Sequence, residues 1–189
     1  MLQISKKYVI IVLTIILKGN DKMFEINQLV SYGPNGIFKI EEITDINLTG
    51  SFKKYYVLKS ANQNGSVVYV PFDNEKLISK IHPILTADEI NNIIKDLPKA
   101  DCHWIENDEE RKKKFNAVIS KSDPRELGWL IHSVYLHQQD IADQRKKLHI
   151  VDERAFREAE RIFYGLISFV LNISVESVPS FIVSKLQEQ

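Results

Sequence analysis

Cysteine, net charge and long apolar runs are all scarce in this chain of 189 residues. The single cysteine, Cys102, excludes an internal disulfide framework and fits a reducing cytoplasm. Lysine and arginine together number 25, as do aspartate and glutamate, so no overall charge indicates a nucleic-acid partner. Residues 84–189 are slightly acidic, with fifteen basic against eighteen acidic side chains. Any contact with DNA must therefore be local.

An apolar run over residues 8–17 lies near the amino terminus and is too short for a membrane-spanning helix, which needs about 20 residues. Lys6-Lys7 before this run is typical of a signal peptide, but no small-x-small cleavage site follows. Two interpretations of residues 1–22 stay open, a mis-assigned start or a short membrane-proximal anchor. Lys18-Gly19 favours the first, because a purine run such as AAAGGA can encode it at ribosome-binding distance from Met23.

Motifs of catalysis and metal binding are missing as well. The five histidines contain no i, i+4 pair and have no Cys-x-x-Cys companion, so no zinc site is predicted. No glycine-rich phosphate loop or nucleophile elbow occurs. Cys102-His103 are only sequence neighbours, which does not bring a nucleophile and a base together in space. We expect no enzyme activity, no cofactor and no small-molecule substrate.

From Asn27 to Pro71, runs of β-branched residues are separated by clusters of turn residues. This pattern predicts short strands joined by tight turns. Gly33-Pro34-Asn35-Gly36 combines the fixed φ of proline with residues that tolerate positive φ. The Asn-Gly pair at the end of residues 62–65 suits a hairpin. The predicted strands lie at residues 37–43, 53–59 and 66–71. Four or five such strands predict a small barrel.

After the boundary predicted at His82-Pro83, the pattern becomes helical. Thr86 and Glu89 have the spacing of a capping box at the start of the first helix. Apolar residues at helical spacing predict four more helices, which begin near Asn107, Asp123-Pro124, Asp152 and Val175, with Asp123 and Asp152 as predicted N-caps. Residues 84–189 are therefore predicted to form an all-helical bundle.

Three motifs in the strand region carry a resemblance to a known family. They are Val30, Tyr32 and Gly36 in a Val-x-Tyr-x-x-x-Gly pattern, the Lys-Tyr-Tyr-Val-Leu-Lys strand at residues 54–59, and Val70-Pro71. The chain resembles CarD-like transcription regulators, whose amino-terminal domain is similar to the polymerase-interacting module of transcription-repair coupling factors. The resemblance continues through the helices to about Leu171.

The resemblance implies an α+β protein of two domains. A small Tudor/SH3-like β-barrel would occupy residues 23–83, and an all-α helical bundle would occupy residues 84–189. Relatives begin with Met and a hydrophobic residue directly before the first strand, which favours Met23-Phe24 as the start. The implied function is to bind the RNA polymerase β subunit and promoter DNA and to stabilise the open promoter complex. We expect a monomer in the bacterial cytoplasm, associated with the nucleoid through polymerase.

The resemblance also implies site residues. Trp104 occupies the position of a wedge that inserts in the minor groove at the upstream edge of the promoter bubble. Arg111, Lys112 and Lys114 lie near the family's phosphate-binding residues, although about three extra residues, some acidic, separate them from Trp104. Ile46 and Tyr69 map to polymerase-facing strand positions where some relatives carry arginine.

Each of these residues has a structural interpretation too. A tryptophan is more often a packed core residue than a ligand contact, and a run of charges is more often a solvated face. Ile46 and Tyr69 could equally be core residues. Trp129, beside Leu127 in a helix, is interpreted as core. The alternative function is an adaptor, cytoplasmic or membrane-proximal, that binds another protein through the barrel while the helices only pack.

Overall fold

The computed structural model describes residues 24–47, 50–61, 65–99, 103–142 and 146–188. In these ranges the chain forms an antiparallel sheet followed by helices, which confirms the predicted α+β class in two parts. Residues 1–22, the start at Met23, the turn residues 62–64 and Cys102 lie outside the described residues. The interpretation of residues 1–22 stays a prediction.

The sheet has five strands in the spatial order β4-β3-β2-β1-β5. The strands are β1 Leu29–Tyr32, β2 Ile37–Asn47, β3 Phe52–Ser60, β4 Val67–Pro71 and β5 Ile81–Pro83. The edge strands β4 and β5 contribute Val70 and Ile81 to the same core, together with Tyr56 from β3. The sheet therefore curves around one core. Within the described residues β4 and β5 do not pair with each other, so the curved sheet stays open between them.

The predicted turn between β1 and β2 is a short 3₁₀ turn over Gly33–Asn35. Gly36 has φ 98° and Gly33 has φ 49°, a region that side chains with a Cβ atom rarely adopt. The turn is closed by the Tyr32 amide, which donates to the Gly36 carbonyl at 2.9 Å. The glycines of this motif are therefore required by the backbone conformation.

A four-residue helix, α1 Glu75–Ile78, joins β4 to β5. The side chain of Asn74 caps it by accepting a hydrogen bond from the Leu77 amide at 3.1 Å. Neither α1 nor β5 was predicted from the sequence, because both are too short for a periodic pattern to reveal. The predicted boundary at His82-Pro83 agrees with the end of the sheet at Pro83.

Five helices follow the sheet. They are α2 Ala87–Asp96, α3 Asp108–Lys121, α4 Pro124–Ala142, α5 Ile150–Leu171 and α6 Val178–Gln187. The predicted capping box is confirmed, because the Thr86 hydroxyl accepts from the Glu89 amide at 3.2 Å and the Glu89 carboxylate accepts from the Thr86 amide at 2.8 Å. The prediction that Asp152 caps a helix is wrong. Helix α5 begins two residues earlier, after His149, and Asp152 lies buried in its first turn.

The helical core is built from residues of α2 to α6. Its largest fully buried side chains are Phe115, Phe163, Ile90, Ile94, Leu127, Leu130 and Ile167. Trp129 packs against this core and is partly buried, in agreement with its core interpretation. Within the described ranges, no single helix has the length and apolar content to cross a membrane. Helices α5 and α6 reach that length and apolar content only when taken together, and their axes are bent by 104° at the break between them.

The sheet and the helices touch through the Gly33–Asn35 turn and through β5. Arg161 of α5 donates to the Pro34 carbonyl at 2.7 Å. The Nε2 atom of His82 lies 2.8 Å from the Lys121 carbonyl, and His82 is 7% exposed. Because a carbonyl can only accept, this ring nitrogen must carry the proton. These two contacts join residues far apart in sequence and fix how the sheet meets the bundle.

Candidate functional site

The structure places both Ile46 and Tyr69 on the outward face of the sheet. Register shifts between Ile40 and Glu42, which marks a β-bulge in β2. A bulge reverses the alternation of side chains beyond it. Ile40 points into the core, and without the bulge Ile46 would point there as well. The bulge instead pairs Ile46 with Lys53, which lies on the face opposite to the core residue Tyr56.

The outward face of the sheet carries apolar side chains among charged ones such as Glu42, Lys53 and Lys59. We call its apolar residues the outer face; they are Ile46, Tyr55, Val57, Val67 and Tyr69. Val57 and Tyr69 are directly opposite each other on β3 and β4. Tyr69 is 54% exposed and Val67 is 46% exposed, whereas Tyr55 and Val57 are each 8% exposed. An apolar patch with an exposed aromatic side chain is typical of a protein-binding surface.

The edge of the sheet beside the outer face is open. Strand β4 pairs with β3 and with no other strand in the described part of the chain. A strand in this position offers backbone donors and acceptors to an added strand from a partner. The side chain of Lys53 forms an ion pair with Asp73 at 2.6 Å next to this edge. The hydrogen bond to Asp73 raises the pKa of Lys53, so the amine stays charged there.

Trp104 lies in the segment between α2 and α3 and is partly buried against the helical core. Its ring stacks on His137 of α4, with ring centroids 3.6 Å apart and planes 4° from parallel. The guanidinium carbon of Arg111 lies 4.5 Å from the Trp104 ring centroid. Phe115 meets the indole edge-on at 6.2 Å. Trp104 is thus half-buried. Its exposure is intermediate between that of a core residue and that of a fully projecting wedge.

Arg111 is buried, with only 3% of its surface exposed. Its guanidinium donates to both carboxylate oxygens of Asp152, at 3.0 and 2.9 Å, and to Asp108 at 2.7 Å. It also donates to the main-chain carbonyls of Ile105 at 2.6 Å and Glu106 at 3.3 Å. The prediction that Arg111 holds a DNA phosphate therefore does not fit this structure, because its donors are already used inside the protein.

Charges around Arg111 change the protonation of its neighbours. The hydrogen bond to Asp152 is the main cause that raises the pKa of Arg111. Arg111 in turn lowers the pKa of Asp108 by hydrogen bonding. Burial lowers the pKa of His137, so the imidazole on Trp104 favours its neutral form. The guanidinium is thus held by carboxylates on one side and faces the indole on the other.

Lys112 and Lys114 are exposed on α3, one turn or less from Arg111. The Lys114 amine lies 5.6 Å from the Trp129 ring centroid, close enough for a cation–π contact. Both lysines stay accessible to an anionic partner. Lys146 and Lys147, just before α5, are exposed too. Accessible cations therefore occur on two segments, α3 and the residues before α5.

Sequence reasoning missed His137 and Asp152 as parts of this site. Asp152 contacts Arg111 across 41 positions of sequence. No local pattern marks such a pair, and the helix-start signal at Asp152 was interpreted as a cap. Groups of three or more histidine, cysteine or acidic side chains that could hold a metal ion are not found among the described residues.

The sheet thus carries an apolar patch beside an open edge, and the bundle holds the half-buried Trp104. Residues 24–82 match the family model of the CarD-like/TRCF RID domain, which covers just under a third of the chain. Residues 24–82 are therefore similar to that domain family, in agreement with the resemblance predicted from the motifs. The family is a protein-interaction domain and supports an RNA polymerase-interacting protein. No curated protein matches the chain.

Proposed function

We propose that this protein is a bacterial transcription regulator that binds the RNA polymerase β subunit through its β domain and contacts promoter DNA through its helical domain. It stabilises the open promoter complex and has no catalytic role. We place it in the cytoplasm as a monomer, with residues 23–83 and 84–189 as its two functional units. The observation that carries this proposal is the RID family match of the β domain.

The outer face supports polymerase docking. It presents the exposed ring of Tyr69 and the partly buried Ile46 on one surface, beside the open edge of β4. A partner strand added to β4 would gain main-chain hydrogen bonds, and side chains of the outer face would select that partner. The surface offers hydrophobic contacts where some relatives carry arginines. Docking would then depend less on salt concentration than an arginine-based contact would.

The region of Trp104 supports the DNA contact. Trp104 is partly accessible, and Lys112 and Lys114 on the next helix are accessible cations. An apolar side chain at a distorted base step favours the open duplex over the closed one, and only such a difference in affinity shifts the equilibrium. Residues 84–189 carry a small acidic excess, so the contact with DNA relies on tethering by polymerase to raise its effective concentration.

We expect Trp104→Ala to remove most of the stimulation of promoter opening. Truncation of a tryptophan at the centre of a contact costs about 2 kcal/mol or more. Opening is measured with purified cognate polymerase and a fluorescent base in the bubble, with and without the protein. Tyr135→Ala is the matched control, because Tyr135 is 52% exposed on the same helix as His137 but two residues away from it, on the other side.

If Trp104→Ala stimulates opening as well as the unmodified protein does, the DNA role of Trp104 is wrong. If neither protein changes opening and neither binds polymerase, the whole proposal fails. That result would favour the adaptor function. One observation already agrees with an adaptor, since Trp104 packs between Arg111 and His137 as a structural residue would.

We expect Tyr69→Ala to weaken binding to the polymerase β subunit by about 1–2 kcal/mol, the usual effect of removing an aromatic anchor. Binding is measured by biolayer interferometry on immobilised polymerase. Phe52→Ala is the matched control. Phe52 is 74% exposed in the same sheet, but its position on β3 puts it on the face of Tyr56 rather than the outer face. Equal affinity losses for both variants would exclude the outer face as the specific docking surface.

A further inference from the structure

Two planar groups pack against the Trp104 indole. The His137 ring lies parallel to it at 3.6 Å, and the Arg111 guanidinium carbon lies over it at 4.5 Å. Two planar groups crowd each other when both stack on one face of a ring, which favours an arrangement on opposite faces. That arrangement would leave an edge of the ring as the accessible part of Trp104.

The two covering groups come from different elements and are fixed independently. Arg111 is held by the carboxylates of Asp152 and Asp108 and also binds the carbonyl of Ile105, the residue next to Trp104. One guanidinium thus fixes both the indole and the main chain that carries it. His137 belongs to α4 and stacks on the indole from there. Helices α3 and α4 thus contact the same side chain, and α5 holds Arg111 through Asp152.

We infer that Arg111 and His137 are positioning residues that clamp Trp104, so that Trp104 meets DNA with the edge of its indole while both ring faces stay covered. This inference rests on the proposed function. Its chemical consequence concerns the kind of contact. A base cannot stack on a covered face, so the ligand is the floor and sugar edges of a widened minor groove rather than a flipped base.

The clamp also explains why a half-buried tryptophan suits this role. A side chain that is already immobilised loses less conformational entropy on binding, so less of the free energy of the contact is offset. The charge of Arg111 is balanced by Asp108 and Asp152, so it acts on the indole and leaves phosphates to the accessible lysines. Preorganisation, rather than added contacts, is the contribution of the clamp.

The first test measures the clamp in the protein alone. The chain has two tryptophans, so Trp129→Phe leaves Trp104 as the only one. In that background we expect His137→Ala to increase acrylamide quenching of Trp104 fluorescence about two- to threefold, because one ring face becomes accessible. His137→Phe keeps a stacked ring and is expected to show quenching like that of the parent. Unchanged quenching in His137→Ala would overturn the clamp, whatever the function of the protein.

The second test measures what the clamp does in promoter opening. We expect His137→Ala to lower stimulation about two- to tenfold, the equivalent of one side chain losing its preorganisation, with polymerase affinity unchanged. His137→Phe is expected to restore it. Higher stimulation by His137→Ala would show that Trp104 must leave the clamp to act, and would overturn the edge-on contact. Equal losses for both variants would overturn stacking as the cause. If the parent itself does not stimulate opening, the proposed function fails, while the quenching result still decides the clamp.

Discussion

Replacing Asp152 with alanine is expected to destabilise the protein by about 3–5 kcal/mol, because it leaves the buried guanidinium of Arg111 without its main partner. The side chains of Arg111 and Asp152 are each only 4% exposed, so water cannot replace the lost carboxylate. Two charge-assisted hydrogen bonds, at 3.0 and 2.9 Å, are lost at once. The free energy of unfolding is measured by urea denaturation followed by far-ultraviolet circular dichroism.

The matched control for this prediction is Asp108→Ala. Asp108 binds the same guanidinium at 2.7 Å, but its side chain is 69% exposed. An exposed ion pair contributes little to stability, because water and salt screen it. We therefore expect Asp108→Ala to have a small effect, although the chemistry of the two pairs is the same. Similar small losses of unfolding free energy in both variants would contradict the prediction. They would mean that the Asp152 pair adds little to stability, although it is buried and the Asp108 pair is exposed.

Replacing Tyr56 with alanine is expected to destabilise the β domain by about 3–5 kcal/mol, the cost of truncating a buried aromatic residue. Tyr56 is 2% exposed and stacks on Phe72 at 4.1 Å between ring centroids. It also meets Phe24 edge-on at 5.8 Å, and its hydroxyl accepts from the Phe24 amide at 3.1 Å. The cavity therefore opens in the middle of the sheet core. Hydrogen exchange of the β2 and β3 amides measures the loss.

Tyr56→Phe separates packing from hydrogen bonding at the same position. It keeps the ring and removes only the hydroxyl, which leaves the buried Phe24 amide without its partner. Such an amide costs about 1–3 kcal/mol. We expect this variant to lie between the parent and Tyr56→Ala. If Tyr56→Phe is as unstable as Tyr56→Ala, the hydrogen bond rather than the ring stabilises the amino-terminal segment on the core.

Local signals in the sequence were sufficient for much of the fold. The Gly33–Gly36 turn and the Thr86–Glu89 capping box were predicted because their causes lie within a few residues. Helix α3 begins close to Asn107 as predicted, and the Asn107 side chain caps it by accepting from the amides of Glu109 and Glu110 at 3.1 and 3.0 Å. Turn and cap chemistry is short-range, so a pattern of residues is enough to reveal it.

The site was harder to predict because its causes are long-range. Arg111 looks like part of an exposed basic run, and only its distant partner Asp152 explains its burial. The direction of Ile46 depends on a bulge several residues earlier in β2, which no composition signal marks. A bulge reverses the direction of every later side chain of its strand. The one extra residue of this bulge therefore decides whether Ile46 lies in the core or on the surface.

The contacts between sheet and bundle constrain any partner of both parts. The bonds from Arg161 to Pro34 and from His82 to Lys121 tie the sheet to the bundle, and with it Tyr69 to Trp104. If both surfaces bind as proposed, a target that presents its two binding sites at another spacing cannot engage both at once. The proposed function then includes a geometric requirement, which excludes a target of the wrong dimensions even when each surface fits separately.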